Sequence, residues 1–172
     1  LPMVFVDTYL KEAQTDFVAT DNRKGAKELV ERLIGAGRKR IAYLGSARSL
    51  SATDERSEGY SESLQAAGHF DSALVKRNLS GYSGVEEALS ELFALQSQPD
   101  AVFVESLSYF KPGFKFLATR KIKIPETVAI AGFDKFDSHW LDADYTDANA
   151  ILRVEQNGEA MGRLAAVRLI EL

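Results

Sequence analysis

The sequence predicts an α/β fold built from doubly wound parallel sheets. Short apolar segments alternate with helical patterns along nearly all of its 172 residues, an order that favours parallel strands joined by right-handed crossover helices. The segment 124–134 is the most informative example, because a proline precedes a short apolar strand that ends in Gly132, Phe133 and Asp134. An apolar run without polar alternation is typical of a central parallel strand covered on both faces.

The strands are predicted from such apolar runs, and the helices from apolar residues recurring every three or four positions. The predicted strands are 3–6, 17–20, 40–44, 74–79, 101–104 and 128–133. The first helix carries Ala26, Leu29, Val30, Leu33 and Ile34 on one face and stops at Gly35 and Gly37. The second spans about 53–67, with Thr53 or Asp54 as its cap and Gly68 closing it. Three more helices follow around 85–93, 114–118 and 161–169, with Pro112 expected in the first turn of the fourth.

Polar residues follow the predicted strands and are expected to line a ligand crevice. The carboxyl ends of parallel strands meet at one edge of a sheet, where open α/β folds bind their ligands. The alternative for any one of these residues is that strands end in polar loops anyway. The residues at these ends are Asp7, Ser46, Tyr82, Glu105, Ser106 and Asp134.

Arg56 is a further candidate for ligand binding. It is expected in the first turn of the second helix, where a positive charge opposes the helix dipole, so helix propensity does not explain it. Its planar guanidinium could donate paired hydrogen bonds to a ligand hydroxyl or carboxylate. The alternative is a surface arginine paired with Glu55 or Glu58.

The composition excludes several classes of function. A net charge of −4 gives no basic surface for nucleic acid within this chain, and no apolar run reaches the roughly 20 residues that span a bilayer. The lack of cysteine excludes disulfides and thiolate chemistry and fits a cytoplasmic protein. No phosphate loop, nucleophile elbow or metal-ligand spacing is found, so we expect no enzyme, no metal and no cofactor.

Several motifs, in order and spacing, resemble the LacI/GalR (lactose-repressor) family of bacterial transcription regulators. They are Asp21-Asn22-x-x-Gly25-Ala26, Gly37-Arg38-x-Arg40-Ile41-Ala42, Glu55-Arg56-x-x-Gly59-Tyr60, Pro99-Asp100-Ala101, Gly132-Phe133-Asp134 and Met161-Gly162-x-x-Ala165. The resemblance implies a two-lobed periplasmic-binding-protein-like (type I) fold with an incomplete amino-terminal lobe. Residues 38–145 would form the carboxyl-terminal effector-binding lobe, and 1–37 with 146–172 the remainder of the other lobe, with crossings near Gly37 and Thr146. A helix-turn-helix head is expected before residue 1.

The resemblance also implies an effector site for a sugar or sugar derivative. Asp7, Arg56 and Asp134 match effector-site positions of the family. Leu79 stands where the family often has an aromatic stacking platform, and Tyr82 could replace it. The family's usual Asn-Asp before the fourth helix reads Glu105-Ser106 here, so the identity of the effector stays open.

The resemblance further implies a homodimer that binds operator DNA through the helix-turn-helix head and has no membrane partner. The expected interface anchors are Phe110, Phe114, Phe116 and Trp140, although Phe114 could equally fill the core. A solute-binding protein of a sugar transporter is the alternative function. An α/β enzyme is a third possible function, which no sequence motif favours.

Overall fold

Two parallel sheets organise the chain in a computed structural model that describes residues 2–46 and 50–172. The elements run in the order β1 (Val4–Val6), β2 (Asp16–Val18), α1 (Asn22–Gly35), β3 (Ile41–Ser46), α2 (Ser51–Ala66), β4 (Val75–Leu79), α3 (Gly81–Phe93), β5 (Ala101–Val104), α4 (Leu107–Thr119), β6 (Ala129–Phe133), β7 (Leu152–Val154) and α5 (Gly158–Glu171). The small sheet pairs β1 with β2, and the large sheet has the order β4-β3-β5-β6-β7. Every pairing is parallel, as predicted.

The large sheet is covered on both faces, which makes it doubly wound. Helices α1 and α2 pack on one face over a core that includes Tyr43, Tyr60 and Phe103. Helices α3 and α4 pack on the other face over a core that includes Phe110 and Phe114. The central strands β5 and β6 are buried at every position, which explains why their sequences are apolar without alternation.

The chain passes between the two sheets at different places from those expected. The apolar stripe of α1 belongs to the core of the large sheet, and β7, which the sequence did not predict, extends that sheet beside β6. Helix α5 packs on β1 and β2. The described chain therefore crosses at 19–21 and 155–157, not near Gly37 and Thr146, while the division into two lobes stays a prediction.

Two helix starts also differ from the prediction. Helix α4 begins at Leu107, so Pro112 lies inside the helix and not in its first turn. Helix α2 begins at Ser51, two residues earlier than expected. Thr53 Oγ1 accepts from the backbone N–H of Leu50 and so caps the start of the helix. Arg56 consequently lies in the second turn, where the dipole argument that singled it out has little force.

Candidate functional site

The two sheets end in aspartates of the same backbone geometry. Asp7 directly follows β1 and Asp134 directly follows β6, and both adopt the left-handed region, with φ of 67° and 80°. Each donates its backbone N–H to the neighbouring strand, Asp7 to the carbonyl of Val18 and Asp134 to that of Val154, both at 2.9 Å. Aspartate is among the few residues other than glycine that tolerate this conformation. Both carboxylates are thereby placed at the carboxyl edge of a parallel sheet.

Arg56 on α2 is buried among these carboxylates, with 4% of its surface exposed. Its Nε donates to Asn22 Oδ1 and its Nη1 to the carbonyl oxygen of Glu105, both at 2.8 Å. The guanidinium lies over the Phe133 ring, 4.1 Å from its centroid. Burial lowers the pKa of Arg56, whereas the negative charges of Asp134, Asp7 and Glu105 act in the opposite direction. The structure therefore brings the three predicted effector residues together.

Asp134 is held in place by two hydrogen-bond donors. Gln156 Nε2 donates to its Oδ1 at 2.7 Å, and the backbone N–H of Leu107 approaches its Oδ2 at 3.4 Å. Leu107 is the first residue of α4 and Ser106 is its N-cap, so Ser106 lies at the same edge of the sheet as Asp134, as predicted.

A second buried cluster adjoins Arg56 around Glu105, which is 3% exposed. Glu105 Oε2 accepts from the Tyr43 hydroxyl at 2.6 Å, and its Oε1 accepts from the Ser46 hydroxyl at 3.0 Å. Burial raises the pKa of Tyr43, and the Glu105 charge raises it further. A Cβ at Gly45 would lie 2.5 Å from Glu105 Oε2, so only glycine fits between them. Ser46 is thus connected to Arg56 through Glu105, since its hydroxyl binds the Glu105 carboxylate and Arg56 binds the Glu105 carbonyl oxygen.

The segment after Asp7 contacts the start of α2. The backbone N–H of Tyr9 donates to Ser51 Oγ at 2.8 Å, and the Tyr9 hydroxyl donates to Glu55. The Tyr9 ring stacks on Phe17 with centroids 4.0 Å apart. These contacts join the segment after the small sheet to the helix that carries Arg56.

Leu79 and Tyr82 make their contacts on the α3–α4 side of the large sheet. Leu79 pairs with Ser46 across the β3–β4 ladder but packs its side chain against the α3–α4 core. Tyr82 is 39% exposed, and its ring lies 5.3 Å from Lys115 Nζ in an open groove beside α4. The contacts of Tyr82 therefore point to that groove and not to the Arg56 cluster.

The expected dimer anchors are mostly core residues. Phe110, Phe114 and Phe116 are 0%, 2% and 2% exposed, so their rings are already covered by this chain and offer almost no surface to a partner. This corrects the role expected for the three phenylalanines. Trp140 is half-buried and lines the same groove as Tyr82. Dimer formation itself stays a prediction.

Asn22 and Gln156 are the residues that sequence reasoning missed. Asn22 was visible only as part of a family motif, and its position just after the Asp21 cap gave no reason to place its amide on Arg56. Gln156 carried no signal, because its partner Asp134 lies 22 residues away. Among the described ranges 2–46 and 50–172, no group of three or more potential ligand residues could hold a metal ion. In the same ranges no helix combines the length and apolarity that crossing a membrane requires.

Charged residues gathered at strand ends between two parallel sheets define a ligand-binding α/β domain. The periplasmic binding protein-like domain family matches residues 30–172, and the chain belongs to it. The resemblance to LacI/GalR regulators is confirmed. The HTH-type transcriptional regulator CelR of Thermobifida fusca is 33% identical over 161 residues, covering 93% of this chain and 46% of that protein. The HTH-type transcriptional regulator GalR of Escherichia coli strain K12 is 30% identical over 133 residues, 77% of this chain and 39% of that protein.

A solved structure described as a transcriptional regulator CelR–cellobiose complex has the same fold. It superimposes with a TM-score of 0.81 at 32% identity, over 98% of this chain and 51% of that one. The chain thus spans about half the length, or less, of these relatives. The activity of a whole regulator consequently enters below as a proposal.

Proposed function

We propose that this chain is the effector-sensing part of a LacI-type transcriptional regulator that binds a small sugar-like ligand between its two sheets. The observation that carries the proposal is the arrangement around α2. Arg56 lies over Phe133, the residue before Asp134, and Tyr9, two residues after Asp7, binds Ser51 at the start of the same helix. A ligand touching Asp7, Arg56 and Asp134 would bridge the two sheets. The curated relatives support a regulator and not a transporter component, because both are described as HTH-type transcriptional regulators.

The chemistry of these three side chains suits a polyhydroxylated ligand. Carboxylates accept hydrogen bonds from neighbouring hydroxyl groups, and a guanidinium donates to ring or hydroxyl oxygens. Arg56 is already fixed by Asn22 and by the carbonyl of Glu105, so little side-chain freedom is lost when a ligand binds. Cellobiose in the CelR complex is a ligand of this class.

The two sheets correspond in this proposal to two lobes, and the ligand acts by favouring one arrangement of them. A change in that arrangement would alter the affinity of a helix-turn-helix head, outside this chain, for operator DNA. The size of the change is bounded by the preference of the ligand for one arrangement over the other. The chain itself is acidic overall and contributes no general electrostatic attraction to DNA.

We place the homodimer contact on the groove beside α4. Tyr82, Lys111, Lys115 and Trp140 line this groove, and both ammonium groups lie over aromatic rings. Partly exposed aromatic side chains such as Tyr82 and Trp140 are enriched in protein interfaces. Trp140 thereby replaces the buried phenylalanines as the proposed anchor.

Ligand binding tests the proposal directly. We expect cellobiose, or a related sugar in a panel of mono- and disaccharides, to raise the melting temperature of the protein, because a ligand that binds only the folded state stabilises it. Isothermal titration then gives the affinity. The Asp134→Ala variant should remain folded and lose measurable binding, since it removes the carboxylate that accepts from the ligand.

Asp144→Ala is the matched control, because Asp144 is an exposed aspartate outside the crevice. Equal affinity of Asp134→Ala and the original protein would overturn the site. A flat response to the whole sugar panel would overturn the ligand class.

A further inference from the structure

Each charged effector residue of the large sheet is held by an amide side chain. Asn22 Oδ1 accepts from Arg56 Nε at 2.8 Å, and Gln156 Nε2 donates to Asp134 Oδ1 at 2.7 Å. Asn22 is fully buried and Gln156 is partly buried. The two effector residues therefore receive their orientation from residues outside the strands and helices that carry them.

Both amides lie where the chain passes between the two sheets. Asn22 is the first residue of α1 and directly follows the first crossing, residues 19–21, which leads from β2 into α1. Gln156 lies in the second crossing, residues 155–157, which leads from β7 into α5. Within the described chain these are the two passages between the small-sheet unit and the large-sheet unit. A change in the angle between the units must bend the backbone at these residues.

Thr20 connects the two amides to each other. Its hydroxyl donates to Gln156 Oε1 at 3.0 Å, and its backbone carbonyl accepts from Asn22 Nδ2 at 3.0 Å. A continuous path of hydrogen bonds thus runs from Arg56 through Asn22, Thr20 and Gln156 to Asp134. The hydrogen bond between Thr20 and Gln156 joins the two crossings, so this link depends on their relative position.

We propose that Asn22, Thr20 and Gln156 are positioning residues that couple the geometry of the effector site to the angle between the two units. This proposal rests on the proposed function and deepens it, because it states how ligand occupancy is passed to the crossings. A ligand that shifts Asp134 or Arg56 changes their hydrogen bonds to Gln156 and Asn22. These changes then favour one backbone conformation of the two crossings over another. Conversely, in one arrangement of the crossings Arg56 and Asp134 are both held in the orientation that binds the ligand.

Thr20→Val is the sharpest test, because the Thr20 hydroxyl contacts Gln156 and Met161 and not Arg56 or Asp134, and valine has nearly the same shape as threonine. We expect the variant to bind cellobiose about fivefold more weakly, the value of one ordinary hydrogen bond. Gln156→Leu, which removes two contacts, should weaken binding by about 5- to 30-fold. Gln65→Leu, at an exposed position on α2, is the control and should bind normally.

A ligand-free measurement separates this proposal from the proposed function. The chain has no cysteine, so Glu87→Cys on α3 and Glu159→Cys on α5 give two unique, exposed sites for spin labels. Double electron–electron resonance should show one narrow distance distribution in the parent protein and a broader or shifted one in Thr20→Val and Gln156→Leu.

The outcomes are distinct. If the original protein binds no sugar, the proposed ligand class fails while the distance measurement still decides the coupling. If both variants keep the parental distance distribution, or lose only thermal stability, these residues have a merely structural role and the coupling is refuted.

Discussion

A single methyl group added at Gly59 should disturb both the packing of α1 on α2 and the effector site. Gly59 lies on α2 where the two helices touch, and a Cβ there would overlap the carbonyl oxygen of Arg23 and lie 3.0 Å from Ala26 Cβ. The obstacle is backbone, which cannot rotate away. Helix α1 must therefore move outward in Gly59→Ala, and Asn22, at the start of α1, moves with it.

The expected size of the effect follows from two opposing contributions. Overpacking a well-filled interior costs about 1–3 kcal/mol, whereas replacing glycine by alanine inside a helix stabilises by about 0.5–1 kcal/mol. The net loss in free energy of unfolding is then about 1–2 kcal/mol. For a chain of this length that corresponds to a fall in melting temperature of roughly 2–8 °C. Sugar affinity should fall as well, because Asn22 no longer fixes Arg56.

Gly162→Ala supplies the matched control with the opposite sign. Gly162 lies in α5, and a Cβ there would meet no atom within 4 Å, so only the helix-propensity gain of about 0.5–1 kcal/mol remains. Urea and thermal denaturation followed by circular dichroism, with calorimetric titration of sugar, measure both variants. If Gly59→Ala proves as stable as Gly162→Ala, the close approach of the two helices is not what requires glycine.

Three further predictions concern the core, the site and the small sheet. Phe114→Ala should cost about 3–5 kcal/mol of stability, as for a buried aromatic ring; dissociation of a dimer without loss of monomer stability would instead restore its role as an anchor. Arg56→Lys should weaken sugar binding at least about tenfold in titration calorimetry, because an ammonium group cannot reproduce the planar fork that contacts Asn22; unchanged affinity would contradict this. The hydrogen bond to Glu55 raises the pKa of Tyr9 to about 12, so its stabilising contribution is complete below about pH 10 and is lost as the pH rises toward 12. Ultraviolet tyrosinate titration of the original protein minus Tyr9→Phe should show this raised pKa, and an ordinary value would refute the bond.

The positions of Asp7 and Asp134 could be predicted because they depend on local sequence. Each follows a short apolar strand, and the rule that ligands bind beyond the carboxyl ends of parallel strands then places it in the crevice. Arg56 was found for a partly incorrect reason, since α2 begins two residues earlier than expected and the dipole argument weakens. Its guanidinium packs over the Phe133 ring, a tertiary contact that no local sequence pattern predicts.

The crossings and the interface could not be predicted for a related reason. The crossing near Gly37 was taken from the family resemblance. The apolar stripe of α1 could not correct it, because the stripe shows that one face is buried but not which sheet covers it. The same ambiguity affects Phe110 and Phe114, because an apolar helix face looks identical whether it meets a core or a partner. Strand β7 has an arginine at the centre of its three residues, so no apolar run marked it in the sequence.

The two halves of the proposed site share one local construction, so a ligand that bridges them would meet the same backbone arrangement on both sheets. In each half a strand ends in an aspartate of positive φ, and the N–H of that aspartate binds the end of the next parallel strand. That next strand leads into a crossing, and each crossing leads into a helix capped by a polar side chain, Asp21 for α1 and Asn157 for α5. The two carboxylates of the proposed site are therefore one strand away from the crossings. In the proposed mechanism, a ligand bound to either aspartate would act on a crossing through a single backbone hydrogen bond of 2.9 Å.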